Sequence, residues 1–403
     1  MAQPVRKKIS EAYGEEIGRK PVFKLLVDGS SLLKVSMRDE TVGANGEHVG
    51  GIFQFLLQLK KLIVQREWDY VYCFFDDKFS GILRYKIYPE YKANRDKHYE
   101  DYGKDEELSD YMKEFNAKVE KMSRYFKKKK YEEDVKAGRE VAREELDDAN
   151  FRREREHIFH YLNELFIRWE IDDKGTEADD LIAYYIKNKL PEEKCVIVST
   201  DMDLTQLLSD DVYIYNPHLH KNVTNRNFKR EFGYPHENVV TKKILCGDSS
   251  DNISNISLLS EKKLFETVPE MLERAVTVEE VIERAKELIK ERVDAKKKPL
   301  KVHENIVNGE ANKKYDGDFY DINRRLVDLS EPLLTEQAKE DMDAMMHTPM
   351  DPDGRSFENI YTLVREDGIE KLYNESSFAQ FFSSFKPFIG REIARYNDFL
   401  KKN

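Results

Sequence analysis

Nine acidic side chains stand where a chain can do chemistry. Asp28, Asp76, Glu177, Asp179, Asp180, Asp201, Asp203, Asp248 and Asp251 fall near predicted strand exits, at a helix start or in a loop between helices. Carboxylates at close range raise one another's pKa, so a cluster of them requires a compensating cation. Hard oxygen donors without a cysteine set or a histidine cluster beside them favour magnesium or manganese over zinc. Two such ions about 3.5 to 4 Å apart activate water and neutralise the charge that builds on a phosphodiester during hydrolysis. Each acid also has a plain structural reading. An Asp at a strand exit is a common turn residue. Thr176 followed by Glu177, Asp179 and Asp180 suits a capped helix start whose acids complement the dipole. Asp201-Met202-Asp203 reads equally as a turn, and GDSSDN as helix capping. The combination is more specific than its parts, because three strand exits, a helix start and a later loop offer acids in one α/β order.

Three apolar runs would have to position these groups. Phe23 to Val27 ends at Asp28, Val71 to Phe75 ends at Asp76, and Cys195 to Val198 leads through Ser-Thr to Asp201. They are predicted as buried strands. Between them Ile52 to Val64 carries Ile52, Phe55, Leu56, Leu59, Leu62 and Ile63 at helical spacing. Strand, helix, strand predicts an α/β fold with a parallel sheet covered on both faces, whose ligands lie beyond the carboxyl ends of the strands. From about Asp96 to His157 charge replaces the apolar rhythm, which predicts an insertion of long polar helices projecting from the core. After Tyr234-Pro235, a helix over 236–246, the turn GDSSDNISN and a second helix near Glu261 to Thr267 make a helix, loop, helix unit. Val278 to Arg292 reads as a further helix, with Thr277 and Glu280 spaced as a capping box.

Composition sets outer bounds. At roughly 150 residues per domain, 403 residues make two to three domains. Lys plus Arg total 67 against 78 Asp plus Glu, a net charge of -11 that argues against a histone-like basic coat but leaves room for a local basic groove. An aromatic content of 11% is too rich for disorder. Cys73, Cys195 and Cys246 are not spaced for a disulfide framework or a zinc knuckle. The first twenty residues lack the apolar stretch of a signal peptide or anchor, and nowhere do about 18 apolar residues run together. A cytoplasmic protein without membrane contact is the expectation. The pairs His157/His160 and His218/His220, and the phenylalanines Phe53, Phe55, Phe74 and Phe75, read as structural.

Five ordered segments, LLVDGS, CFFDD followed by RYKIYPEYKANR, TEADDLIA, VSTDMDLTQLL and CGDSSDNI, together resemble the 5′ nuclease family. That family comprises flap endonucleases, the 5′ nuclease domain of bacterial DNA polymerase I and phage 5′ to 3′ exonucleases. The likeness runs from about Phe23 to Val268, with NRRLVDLS at 323–330 similar to a later family segment. In character the chain most resembles the phage members, including the ribonuclease H of T-even phages. The resemblance implies a PIN-like parallel-sheet core over 21–235 after an N-terminal tail of 1–20, with a helical arch insertion at 96–157. A helix-three-turn-helix DNA-binding region follows over 236–330, then a mostly helical C-terminal extension over 331–403.

For the site, the resemblance implies that Asp28, Asp76, Glu177, Asp179 and Asp201 hold the tighter of two magnesium ions, with manganese as a substitute. Asp203, Asp248 and Asp251 would serve the second ion, and Asp180 would support both. Lys92 and Arg95, three apart and therefore neighbours on a helix, would stabilise charge on the scissile phosphate, with Arg84 in the same basic group and Tyr91 stacking on a terminal base. Arg124 and Lys127, Lys128, Lys129 and Lys130 of the arch would track phosphates. The loop after Gly247 lacks the glycines with which many members hold potassium, so no potassium site is expected, and Lys262 and Lys263 would make phosphate contacts instead. The implied activity is a structure-selective 5′ to 3′ exonuclease and flap endonuclease on branched or 5′-ended duplex DNA and RNA-DNA hybrid, in primer removal or repair. A monomer is implied, with replication proteins such as a single-strand-binding protein or sliding clamp as partners, in the host cytoplasm if phage-encoded. The full acid set disfavours a non-catalytic branched-DNA clamp, and the GDSSDN loop disfavours a PIN-type endoribonuclease.

Overall fold

In strand β1 (Val22–Asp28) every residue from Lys24 onward is buried, because Leu25 and Val27 pack to one side of the sheet and Leu26 to the other. A strand enclosed on both faces needs an apolar run, which Leu25 to Val27 supply, while the buried Lys24 ammonium pairs with Glu193 at 2.9 Å. The computed structural model describes residues 21–77, 79–93, 142–172, 174–313 and 315–402. After β1 come α1 (Gly29–Ser36), α2 (Gly50–Ile63), β2 (Tyr70–Phe75), α3 (Ile82–Ile87), α4 (Ala142–Glu164), β3 (Arg168–Ile171) and α5 (Ala178–Asn188). Next are β4 (Glu193–Val198), a 3-10 turn at Asp203–Leu207, β5 (Val212–Asn216) and β6 (Lys221–Val223). The six strands lie in the order β3-β2-β1-β4-β5-β6. All neighbours are parallel except β5 and β6. The fold is α/β, as the three apolar runs predict.

The chain continues through α6 (Asn225–Phe232), α7 (Val239–Cys246), α8 (Glu261–Thr267), α9 (Val278–Asp294), α10 (Lys301–Asn308) and α11 (Phe319–Val327). It then forms α12 (Glu336–His347), α13 (Phe357–Glu366), α14 (Glu375–Phe382) and α15 (Lys386–Lys402). The helix expected over 236–246 divides into a 3-10 turn at His236–Asn238 and α7. The cause is Asn238, whose buried side chain donates to the carbonyls of Met271 and Arg274 and accepts from the Val276 amide. Helix α9 begins at the predicted capping box of Thr277 and Glu280.

Two apolar layers sandwich the sheet. On one face α2 and α4 are joined by Ile360, Val364, Phe382, Phe385 and Phe388 from the C-terminal helices. On the other, Leu181 and Ile182 of α5 meet Ala338 and Met342 of α12. A separate core, built on Leu245, Leu264, Val281 and Ile306, binds α7 to α8, α9 and α10. The insertion expected to project from the core as far as His157 is corrected in its described part. In α4, Glu154 and Arg155 are already buried, and Ile158, Tyr161 and Leu162 belong to the sheet's core. Glu154 joins the core because its carboxylate accepts the Ile52 amide at 2.6 Å and pairs with His48. Among the described residues, no helix is long and apolar enough to cross a membrane.

Candidate metal centre and phosphate-contact residues

Parallel strands direct their carboxyl ends to one edge of the sheet, and the acids collect there. Asp28 ends β1 and caps α1, accepting the Ser31 amide at 2.8 Å. Asp76 follows β2, and its Oδ1 accepts the Ala178 amide at 3.0 Å, which ties this strand exit to the first turn of α5. That turn carries Glu177 at its cap with Asp179 and Asp180 behind it. Ser199, at the end of β4, donates its hydroxyl to Asp28 Oδ2 at 2.6 Å while accepting the Asp201 amide at 2.9 Å. Asp28 and Asp201 are thereby held to each other.

Electrostatics report the same gathering. The Asp28 carboxyl is pushed up to about 7 by burial and then by the charge of Asp76, with a smaller push from Asp201, against the downward pull of its Ser199 and Ser31 hydrogen bonds. Asp179 is raised well above the usual carboxylate range, first by burial and then by Asp201, Asp28, Asp76 and Glu177. These acids meet in one place and repel one another, which is the condition that a bound cation relieves.

A second group lies beside the first. Carboxylate oxygens of Asp203, Asp248 and Asp251 can lie within 4.8 Å of one another, carried by the 3-10 turn and by the loop after α7. Lys243 pairs with Asp203 and reaches Asp248 at 2.6 Å. Burial pushes Asp248 upward, but the Lys243 ammonium and the Ser250 hydrogen bonds outweigh it and carry the carboxyl down to about 2. At Asp203 burial wins over Lys243, and the carboxyl is raised. Both groups offer oxygen donors alone, and in the second the oxygens already lie within 4.8 Å of one another, so the donor chemistry fits magnesium or manganese.

The structure separates the remaining expected residues by position. Arg84 is buried and turned inward: it pairs with both oxygens of Asp180, reaches Glu177 at 2.7 Å and donates to the Leu326 carbonyl at 2.9 Å. The expected contact of Arg84 with nucleic acid is therefore corrected, since its donors are spent inside the protein. Asp180, expected to support both ions, is wholly buried, pairs with Arg84 and accepts the Leu333 amide at 2.9 Å. Tyr91 is corrected from base stacking: only 2% exposed, it donates to Glu177 at 3.0 Å and lies 3.2 Å from Asp251. Lys92 lies outside any helix, at φ 50°, with its amide on the Asp251 carbonyl at 2.8 Å. The predicted helical face shared with Arg95 is corrected on the Lys92 side, because α3 ends at Ile87. The Lys92 ammonium pairs with Glu177 and lies 3.9 Å from Asp251, between the two acid groups.

Arg95, Arg124 and Lys127, Lys128, Lys129 and Lys130 lie outside the described residues. Lys262 and Lys263 begin α8 on the exposed surface, Lys263 donating to the Leu258 carbonyl at 2.8 Å. Leu258 itself is 54% exposed at φ 67°, a left-handed backbone that side chains rarely take. His157 bonds to the buried Asp367, a structural role. Sequence reasoning missed Ser199, Lys243 and Arg155, whose guanidinium donates to the Asp76 carbonyl at 2.7 Å. Ser199 stood within a quoted motif, two residues before Asp201; the other two gave no signal, because their partners are set by tertiary structure.

Comparison with known proteins agrees with this geometry. A family model described as "5′-3′ exonuclease, N-terminal resolvase-like domain" matches residues 24–134 and 111–233. The chain is 32% identical over 119 residues to DNA polymerase I of Rhizobium leguminosarum, covering 29% of this chain and 11% of that protein. It is 38% identical over 90 residues to a 5′-3′ exonuclease of Mycoplasmopsis pulmonis, covering 22% and 30% respectively. Against a 5′-3′ exonuclease of Aquifex aeolicus it is 30% identical over 135 residues, covering 33% and 45%. The chain thus spans less than half the length of each of these curated relatives. In fold it is similar to the D15 flap endonuclease of bacteriophage T5 in complex with DNA and metal ions, with a TM-score of 0.53 at 16% identity over 86% of this chain and 97% of that one. A second structure, of zinc ions bound to T5 5′-exonuclease, gives a TM-score of 0.52 at 16% identity over 86% and 98%.

Proposed function

The chain belongs to the 5′-3′ exonuclease family, and from that premise we propose that it is a divalent-metal-dependent, structure-selective 5′ nuclease. It would cleave phosphodiester bonds at 5′ ends and flaps of branched or 5′-ended duplex DNA and RNA-DNA hybrid, in primer removal or repair. The observation that carries this reading is the convergence of Asp28, Asp76, Asp179 and Asp201, from four separate segments, on the carboxyl edge of one parallel sheet. Magnesium, with manganese as its substitute, would supply activated water and offset the charge developing on phosphate and departing 3′ oxygen. Asp28, Asp76, Asp179 and Asp201 would hold one ion, and Asp203, Asp248 and Asp251 the other, with Glu177 between them.

In this reading Ser199 orients the Asp28 carboxylate and anchors the Asp201 backbone beside it, which prepares the pair to receive metal. Lys92 stands between the acid groups on a backbone bonded to Asp251, close enough to exchange Glu177 for the scissile phosphate. Lys262 and Lys263 on α8 would contact the duplex backbone. Product mapping tests the proposal on 5′-end-labelled flap, nicked and RNA-primed duplexes, with and without magnesium. The expected result is magnesium-dependent release of fragments from the 5′ end, leaving 5′-phosphate and 3′-hydroxyl termini. Intact substrate in magnesium and manganese alike would defeat it.

A further inference from the structure

The two acid groups differ in the cations beside them. Among the described residues, no lysine or arginine nitrogen lies within 4.0 Å of the carboxylates of Asp28, Asp76, Asp179 or Asp201. The second group contains one. Lys243 projects from the last turn of α7, and its single ammonium pairs with Asp203 and, at 2.6 Å, with Asp248. Asp203 and Asp248 are two of the three acids whose oxygens come within 4.8 Å of one another, so the ammonium sits among the donors that the second ion would use.

Lys243 is fixed at its base. The Gly247 amide bonds to the Lys243 carbonyl at 2.9 Å, and Asp248 exchanges two backbone hydrogen bonds with Ile253. The helix end and the acid-bearing loop are therefore set, while the ammonium rides on a four-carbon stem whose side chain is 15% exposed. Only the stem has freedom to move. A divalent ion bound to these carboxylates would lie within a few ångström of the ammonium, and the repulsion of like charges at that range sets the two cations in competition for them.

We propose that Lys243 is an internal counter-cation of the second metal site, pairing its carboxylates until the second divalent ion displaces the ammonium. Among the described residues the four aspartates of the first site have no lysine or arginine at ion-pair distance, so that site binds its ion more tightly; the second gains its ion only by giving up two ion pairs, and so binds more weakly and exchanges more readily. This inference rests on the two-ion reading above and adds the residue that makes the two sites unequal.

Calorimetric titration of the full chain with manganese chloride, after removal of bound metal by chelation, tests it. The wild type is expected to bind two ions with unequal affinity. Lys243→Met should tighten the weaker site by about tenfold or more, the order expected for removing a unit charge a few ångström from the ion, and leave the tighter site unchanged. Lys243→Arg, which keeps the charge, should stay near wild type. In the presence of chelator Lys243→Met should melt at a lower temperature than wild type, with magnesium closing the difference. If Lys243→Met cannot be kept folded without metal, chelator-induced unfolding of protein purified in magnesium, at chelator levels that spare wild type, supports the same dependence. Two bound ions with an unchanged or weaker second affinity in Lys243→Met overturn this inference alone. No bound ion in wild type overturns the two-ion reading and the inference together.

Discussion

Ser199 ties two acid-bearing segments together with one hydroxyl, donating to the Asp28 carboxylate and receiving the Asp201 amide. The site is thus built from residues that repel and residues that restrain. Asp201→Ala or Asp179→Ala should lower cleavage by at least about a hundredfold while branched-substrate binding in calcium persists, because in the proposed mechanism these acids hold metal and not DNA. Gel-shift and cleavage assays on the same preparation check this, and full activity in magnesium would remove these acids from the site. Lys92→Ala should lower the single-turnover rate by about a hundredfold with a much smaller loss of affinity, as expected for a charge that acts on the phosphate in the transition state. An unchanged rate would take Lys92 out of the mechanism. The acids were legible in the sequence because residue type and strand exit together restrict where they can lie. Lys243 and Arg155 were not, since a basic residue on a helix carries no mark of which acid it will meet. Arg84 and Tyr91 were misread for a related reason: their motif shows proximity to the site but not the direction in which the side chains point.

At the scale of elements, α11 locks the acid-bearing loop. Asn323, fully buried, donates to the Ile244 carbonyl at the end of α7 and to the Ser254 carbonyl beyond Asp251, and accepts the Tyr315 hydroxyl at 2.8 Å. Asn323→Ala strands these partners and should destabilise the protein by about 2 to 4 kcal/mol in urea denaturation. Edge strand β3 carries a different imbalance. Glu170 is pushed up to about 7 by burial, then by Asp341 on α12 and by Asp172. A raised carboxyl is neutral and harmless below the ordinary range; its cost appears as pH rises through that range and is complete above about 7. Glu170→Gln should therefore raise the melting temperature at pH 8 and leave it unchanged at pH 4, and a gain independent of pH would refute this account. Strands β1, β2 and β4 were legible because enclosure on both faces demands an apolar run. Strands β3, β5 and β6 were not: RWEI, VYIYN and KNV are short, and their polar residues take positions at the sheet's periphery.

For the molecule as a whole, the region after residue 331, which carries no readable motif, covers the sheet. Helix α12 lies on one face, and residues of α13 to α15 complete the other. Phe382, wholly buried among Phe378, Phe381 and Phe385, stands in that second layer. Phe382→Ala should cost about 3 to 5 kcal/mol of stability and reduce the yield of folded protein, although Phe382 lies in no acid group. A change below 1 kcal/mol, measured by urea denaturation, would show that this layer is dispensable. The helical character of the region was legible from composition; its place was not, because an amphipathic helix does not state which surface it will cover.

Helix α15 seals the sheet at the end opposite the acids: Arg391 donates to the Trp68 carbonyl at 3.0 Å, Arg395 pairs with Asp69, and buried Glu392 pairs with Arg168 of β3 at 3.1 Å. Strand β3 thus waits for a partner 224 residues further along the chain. While this segment is still inside the ribosome, Arg168 has no counter-ion and an aromatic face stays wet. The sheet should therefore close only after Arg395 has emerged, and not gradually as each strand leaves the ribosome.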